Sequence, residues 1–498
     1  MEKNIIANII GKFWGLFSVF IFVPLYINIL GFESYSLISF TLVIAGILAF
    51  LDSGLTATLS RVMARKDLVL DEKIRTFKTL ETVYLIIILT VISIFLVFSN
   101  LIAENWLKSN DFNESQVSYF LRLVSFDVAL QLYVRFNLGG LLGLEKQVKA
   151  NVIQVGWGMM RNGMVVLIIL YKPTLETFFI WQALSSLLFA IISKFELQKE
   201  LELRKNNFWK FSFEKSVITS NYKFAGGMLL VAIVAGINTQ IDKFIIAQNL
   251  PLVDLGYYTL SIALGMGIIS LISPISVASL PRFTALFSLG KKKEAVKLFN
   301  SINSVVSIIT FSLMSILIFF SKEILWIWTG DKSLADHAKI FLPFTAIAYS
   351  SISIVYIPFN IAIANGYTKL NNYIGIISLI VTIPGYYFIS ISNGAIGVVM
   401  LFSAVQITSN IIYFILIHKR FLQSNLLITL LNTVVKPLIL TLFIGYLFSL
   451  TNIIDFTNRW IALLWIGLFI TLTVVICSLT LINKQLLESL KFKKKKNQ

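Results

Sequence analysis

Long apolar runs alternate with short polar breaks along almost the whole chain. Reading one against the other gives fourteen candidate segments: 5–30, 36–60, 79–103, 117–143, 147–171, 175–195, 222–249, 255–281, 298–321, 338–364, 370–390, 395–417, 433–451 and 460–482. Each is close to the roughly 20 apolar residues that a helix needs to cross the hydrocarbon core of a bilayer. None shows the ten-residue alternation of a barrel strand, so helices are expected to satisfy the backbone in lipid. The predicted fold is an all-α polytopic membrane protein with about fourteen transmembrane helices. The tightest breaks fall at Tyr171-Lys172-Pro173 and between Ser390 and Gly394.

The stretch from Asn221 to Arg282 reads as a second beginning. Its first run carries Gln240-Ile241-Asp242-Lys243, a break comes at Pro251 and Asp254, and a second run closes on Leu280-Pro281-Arg282. Near the N-terminus a run ends at Leu30-Gly31, the chain breaks at Glu33-Ser34-Tyr35, and the next run closes on Leu59-Ser60-Arg61. Placing Ser34-Tyr35 over Gly256-Tyr257 brings the two Leu-x-Arg endings within one residue of register. Two six-helix bundles of similar topology are therefore expected. They occupy residues 1–197 and 221–420, joined by a cytoplasmic linker at 198–220 and succeeded by an extra helix pair and basic tail at 421–498. The linker charges Lys199, Glu200, Glu202, Arg204 and Lys205 suit an amphipathic helix lying on the membrane.

Composition agrees with the pattern: of 498 residues 57% are hydrophobic and 13% charged, with mean hydropathy +0.83. A formal charge of +17 would point to nucleic acid in a soluble protein. Here its distribution explains it. With the N-terminus inside and sides alternating, 30 of the 42 basic residues fall in inside segments and six outside (Lys108, Lys172, Lys322, Lys332, Lys339 and Arg459). The positive-inside rule then puts both termini in the cytoplasm. Trp106, Trp326 and Trp328 fall in the outside loops, where tryptophan anchors span ends. The first run continues to Leu30 without a small-residue cleavage site and reads as a retained span. A lone cysteine, Cys477, excludes an intramolecular disulfide. The tail Lys491-Phe492-Lys493-Lys494-Lys495-Lys496 would be drawn to anionic headgroups.

Catalytic signals are missing. Gly290-Lys291-Lys292 lacks the upstream glycine and the trailing Ser or Thr of a nucleotide-binding loop. His337 and His418 fall on opposite faces of the membrane, so no metal site is expected, and no outside loop is long enough for a catalytic domain. The expectation is a secondary transporter or flippase, not an enzyme, with no cofactor and no nucleic-acid partner.

The remaining chemistry is charge inside the bilayer, where an ionised side chain costs roughly 2.5–3.5 kcal/mol on insertion scales. Six bases stand there: Lys12, Arg122, Arg135, Arg161, Lys243 and Lys436. Arg122 and Lys436 lie near span ends and can snorkel. Asp127, Gln131 and Arg135 recur at i, i+4 and i+8 on one face of the fourth span. Asn151, Gln154, Gly158 and Arg161 form a similar stripe on the fifth. Asn238, Asp242 and Lys243 cluster on the seventh, and Asn4, Asn8 and Lys12 line the first. Two readings fit. The groups can pair and hold helices together, or they can line a water-filled cationic cavity that takes an anionic substrate. For the second, Arg135, Arg161, Lys243, Lys12, Gln131 and Gln154 are the substrate-binding candidates, since arginine grips phosphate with two donors at any pH. Asp242, Asp127 and Asp52 are the ion-coupling candidates. Pro274, Pro281, Pro358 and Pro384 interrupt spans and permit kinks.

At these residues the chain resembles the polysaccharide repeat-unit (O-antigen, Wzx-type) flippases of the multidrug/oligosaccharidyl-lipid/polysaccharide exporter superfamily. The matching pieces are Leu51-Asp52-Ser53-Gly54-Leu55 through Arg61, and Ile241-Asp242-Lys243-Phe244-Ile245-Ile246 with Leu255-Gly256-Tyr257-Tyr258. Leu280-Pro281-Arg282 through Lys293-Glu294-Ala295, and Pro358 to Lys369 with Asn365-Gly366, also match. The resemblance implies two bundles alternating between inward and outward openings. It implies a substrate of undecaprenyl-diphosphate-linked oligosaccharide moved to the outer leaflet of the bacterial inner membrane. Many members have twelve spans, so the last helix pair is a departure. A lipid-linked peptidoglycan precursor flippase fits the charge equally well. A cation-coupled drug exporter fits an arginine-bearing interior poorly, and a polysaccharide polymerase or ligase should show a long outside loop. Membrane lipids, a polysaccharide polymerase and a chain-length regulator are the expected partners.

Overall fold

A computed structural model describes residues 18–203, 211–451 and 457–481. Lys12, residues 204–210 of the expected linker helix and the basic tail lie outside the described residues. Among those described, helix is the only extended secondary structure; an isolated parallel bridge pairs Lys108 with Pro251. In chain order the first helices are α1 (Ser18–Leu30), α2 (Phe32–Ala64), α3 (Leu70–Trp106), α4 (Glu114–Gly143), α5 (Gln147–Tyr171), α6 (Leu175–Glu200) and α7 (Lys215–Asn249). Then come α8 (Leu252–Ser288), α9 (Lys292–Phe319), α10 (Ser321–Thr329), α11 (Lys332–Ala338), α12 (Leu342–Ala364), α13 (Lys369–Leu422), α14 (Leu426–Ser449) and α15 (Arg459–Leu481).

Twelve of the described helices are long and apolar enough to cross a membrane, against the fourteen expected. Two features account for the difference. Only Ser18–Leu30 of the first run is described, and the eleventh and twelfth runs share the 54-residue α13. Straight, α13 would be about 80 Å long, far more than a core about 30 Å thick. It is not straight: Gly394 has φ 63° and ψ −159°, a left-handed conformation that glycine adopts without steric penalty. The break that the sequence places at Ser390 to Gly394 is thus a backbone kink with no loop. Pro274 and Pro281 lie inside α8, Pro358 inside α12 and Pro384 inside α13.

The chain divides into two compact units, Met1–Gly256 and Tyr257–Gln498. In the first, α7 runs antiparallel along α2 at close range. The helices meet at Gly46 against Gln240, Phe50 against Gly236, and Gly54 against Ala225. A Cβ on Gly54 would lie 2.6 Å from the Ala225 carbonyl oxygen, so only glycine fits. This contact groups α7 with the six helices before it in the first unit. Phe77, Leu80, Tyr84, Leu132, Phe136 and Leu197 form the core between α3, α4 and α6.

In the second unit α9 is the hub. It packs on α12, α14 and α15, with Ile308, Ile316, Phe320, Ile444, Phe469 and Cys477 buried together. Buried polar groups lock the same helices: Asn303 Nδ2 donates to Thr433 Oγ1 at 2.9 Å, and Ser315 Oγ to the Thr441 carbonyl at 2.9 Å. The last helix pair is therefore part of this unit's core.

Candidate functional site

The polar stripes of the first unit converge on Asp127, in the middle of α4. It stands 13 residues from Glu114 and 16 from Gly143, about 20 and 24 Å from the two helix ends. A carboxylate there is sustained only by donors, and it has three. Arg161 Nη2 reaches Oδ2 at 2.9 Å, Gln131 Nε2 reaches the same oxygen at 2.8 Å, and Ser186 Oγ donates to Oδ1 at 2.6 Å.

Arg161 is held as firmly. Its Nε donates to Gln182 Oε1, Gln182 Nε2 donates back to the Arg161 carbonyl at 3.0 Å, and the guanidinium lies 5.5 Å from the Trp157 ring centre. The backbone around it is a π-helical turn, Met159–Met164, inserted in α5. Such a turn takes one more residue than an α turn and rotates the rest of the helix about its axis. The stripe expected on the fifth span is therefore split. Arg161 reaches Asp127, Asn151 is buried and bonded to the Gln147 carbonyl, and Gln154 is exposed.

Arg135, two turns beyond Asp127 on α4, differs from Arg161. It is half-buried and makes no hydrogen bond or ion pair among the described residues, yet it lies within electrostatic range of Asp52, Arg161 and Asp127. Asp52, on α2, is buried and accepts the Thr56 hydroxyl at 2.6 Å. One arginine is thus consumed by its carboxylate, and the other keeps its forked donors available.

Asp242 and Lys243 pair locally on α7 at 3.5 Å, and Lys243 Nζ also donates to the Thr239 carbonyl at 2.6 Å. The structure brings together Asp127, Gln131 and Arg161, with Arg135 and Asp52 nearby. It leaves Gln154 outside that group, keeps Asp242 and Lys243 on α7, and does not describe Lys12.

One charged cluster has no counterpart in the sequence pattern. Glu81 on α3 and Lys194 on α6 form an ion pair at 3.0 Å, with 1% and 3% of their side chains exposed. The Tyr133 hydroxyl donates to the same carboxylate oxygen, while Glu81 Oε2 has no hydrogen-bond partner. By sequence Lys194, at the end of the sixth run, counts among the bases of the inside segments. It is instead a buried residue of α6, because that helix continues to Glu200. Gln182, Ser186 and Ser193 recur on one face of the sixth span, Lys194 stands at its edge, and all four are buried. Arg122, expected to snorkel, bonds Ser99 and Asn100 on α3, and Lys436 bonds Asn432 one turn away.

The second unit carries an apolar cavity of about 390 Å³ between α9, α12, α13 and α14, lined by Phe311, Met314, Ile354, Ile411, Val434 and Leu438 among others. Asn410 Nδ2 donates to Ser351 Oγ at 3.2 Å on its wall.

Packed apolar helices that are long enough to span a bilayer, with charge networks buried among them, define a multi-pass membrane protein. The chain belongs to the polysaccharide biosynthesis protein family, whose model matches residues 1–287, and the MatE model matches residues 228–388. No curated protein sequence matches it. Among solved structures, the lipid II flippase MurJ in an inward closed conformation is similar over 96% of this chain and 98% of its own (TM-score 0.75, 15% identity). An inward-facing multidrug resistance MATE family transporter of the MOP superfamily matches over 82% and 94% (TM-score 0.64, 14% identity). The MATE transporter VcmN of Vibrio cholerae matches over 85% and 97% (TM-score 0.55, 10% identity). These likenesses establish the flippase and transporter fold of that superfamily.

Proposed function

We propose that the protein is a flippase that moves undecaprenyl-diphosphate-linked oligosaccharide repeat units from the cytoplasmic to the outer leaflet by ion-coupled alternating access. The observation that carries this reading is the division of labour between two intramembrane arginines. Arg161 is neutralised by Asp127 and held by Gln182, which gives a rigid wall. Arg135 has unengaged donors beside that wall, suited to a diphosphate head. Gln131 completes the wall, while Lys243, Lys12 and Gln154 are further candidates for contacts to the sugar or diphosphate. Asp52, Asp127 and Asp242 are the candidates for the coupling ion.

The reading places the protein in the bacterial inner membrane with both termini cytoplasmic, in contact with membrane lipids and alongside a polysaccharide polymerase and a chain-length regulator. Cysteines placed at positions 292 and 331 should respectively resist and accept an impermeant thiol reagent on intact cells. Labelling at 292 would reverse the orientation.

Transport in proteoliposomes tests the substrate. A fluorescent diphosphate-linked oligosaccharide lipid should become accessible on the far leaflet, and Arg135→Ala should abolish this with protein abundance near normal. Arg161→Ala should lower abundance as well, because it strands the buried Asp127 carboxylate. Full transport by Arg135→Ala would remove the arginine from the reading. Preference for a lipid-linked peptidoglycan precursor in the same assay would reassign the substrate, and transport of cationic drugs would make the protein an exporter.

A further inference from the structure

A cationic pocket of about 400 Å³ is built where α2 ends and α3 and α7 begin. The distribution of basic residues places this end of the unit at the cytoplasmic face. Arg61 and Arg65 enter from the last turns of α2, Arg75 and Glu72 from α3, and Glu214 from the residue before α7. Three arginines against two glutamates leave the lining with one net positive charge, and Lys66, Lys73 and Lys215 flank it in sequence together with Asp67 and Asp71.

The engagement of these charges is uneven. Arg65 is occupied by Asp67, with Nε 3.0 Å from Oδ1. Glu72 accepts the Val69 N–H at 3.2 Å and caps α3. Arg61 lies 4.4 Å from the Phe224 ring centre, a face-on contact that leaves its N–H groups without a protein acceptor among the described residues. Arg75 makes no hydrogen bond or ion pair among them. Two exposed guanidinium groups therefore line an open polar pocket, with no protein acceptor for their donors among the described residues. The positive ends of α3 and α7, which begin at Leu70 and Lys215, add to the potential there and the negative end of α2, which stops at Ala64, offsets part of it.

We propose that this pocket is a phosphate-anion site on the cytoplasmic side of the first unit, held by Arg61 and Arg75. Its ligand is a phosphate group, supplied by an anionic lipid headgroup of the inner leaflet or by a soluble phosphate compound. Planar guanidinium groups with free N–H edges match phosphate oxygens in two-pronged geometry. The site is separate from the mid-span arginines and does not rest on the flippase reading, since it concerns binding and not transport.

The test uses the full-length protein in nanodiscs. Wild type is compared in phosphatidylcholine alone, with added phosphatidylglycerol, and in phosphatidylcholine with inorganic pyrophosphate in solution, by melting temperature and native mass spectrometry. A ligand that binds only the folded state raises the melting temperature. Phosphatidylglycerol or pyrophosphate should stabilise wild type, and R61Q/R75Q should weaken that response about tenfold or more. The control K293Q/K297Q, which removes the same charge from exposed lysines of the second unit, should respond as wild type. If R61Q/R75Q does not accumulate, R75Q alone carries the test, because the Arg75 side chain bonds nothing among the described residues. A response to phosphatidylglycerol alone assigns a lipid headgroup, and a response to pyrophosphate assigns a soluble phosphate. No response to either, or equal responses from wild type and variant, would overturn the proposal.

Discussion

The buried pair of Glu81 and Lys194 offers a measurable balance of large terms. At 3.0 Å, two unit charges attract by about 5–6 kcal/mol at an effective dielectric constant near 20. Against this stands a desolvation cost of several kcal/mol for each ion, which leaves the net contribution of the pair small. Removing one partner is a different matter. Lys194→Met leaves a carboxylate with 1% of its side chain exposed, one hydroxyl donor and an oxygen without a partner, and should cost about 3–5 kcal/mol. Glu81→Leu should cost less, because the ammonium keeps its contact with the Phe211 ring, 4.9 Å from the ring centre. The double variant should recover most of that loss, giving a coupling of about 3 kcal/mol or more in a double-mutant cycle. Unfolding of the purified variants by denaturing detergent, monitored by tryptophan fluorescence, gives the four free energies. Tyr133→Phe should cost about 1–3 kcal/mol in wild type, through loss of the hydroxyl that donates to Glu81, and little in the double variant. Additive single losses, with coupling below about 0.5 kcal/mol, would refute the pairing and its burial.

The helix contacts and α7 give two further expected outcomes. Gly54→Val should destabilise the protein by about 1–3 kcal/mol and lower its melting temperature, because the side chain collides with the backbone of α7 at Ala225; an unchanged melting temperature would show that α2 and α7 are not in close contact. Asp242→Asn mimics the protonated carboxyl, so in proteoliposomes under an imposed pH gradient it should retain substrate binding and lose gradient-driven transport. Gradient-responsive transport by that variant would move the coupling role to Asp127 or Asp52.

The spacing of apolar runs is enough to determine the helical membrane fold, because lipid offers the backbone no partner and leaves helices or closed barrels as the choices. The same economy marks Asp127, Gln131 and Arg161 as worth attention: charge at mid-membrane is rare and has to be satisfied. Which charge satisfies which lies beyond the sequence. Arg161 reaches Asp127 from a π turn that no periodicity of 3.6 residues foretells, while Gln154, from the same expected stripe, is exposed. The Glu81–Lys194 pair is hidden for a related reason. Each residue sits close enough to an apparent span end to read as a loop charge, and only the packing of α3 against α4 and α6 takes both out of water. Gly394 likewise reads as a loop from composition, yet the break between the two helical segments is made by the backbone of that one residue. Composition and period report how much each segment must bury. The partners that make the burial affordable come from distant segments, and only the tertiary structure decides them.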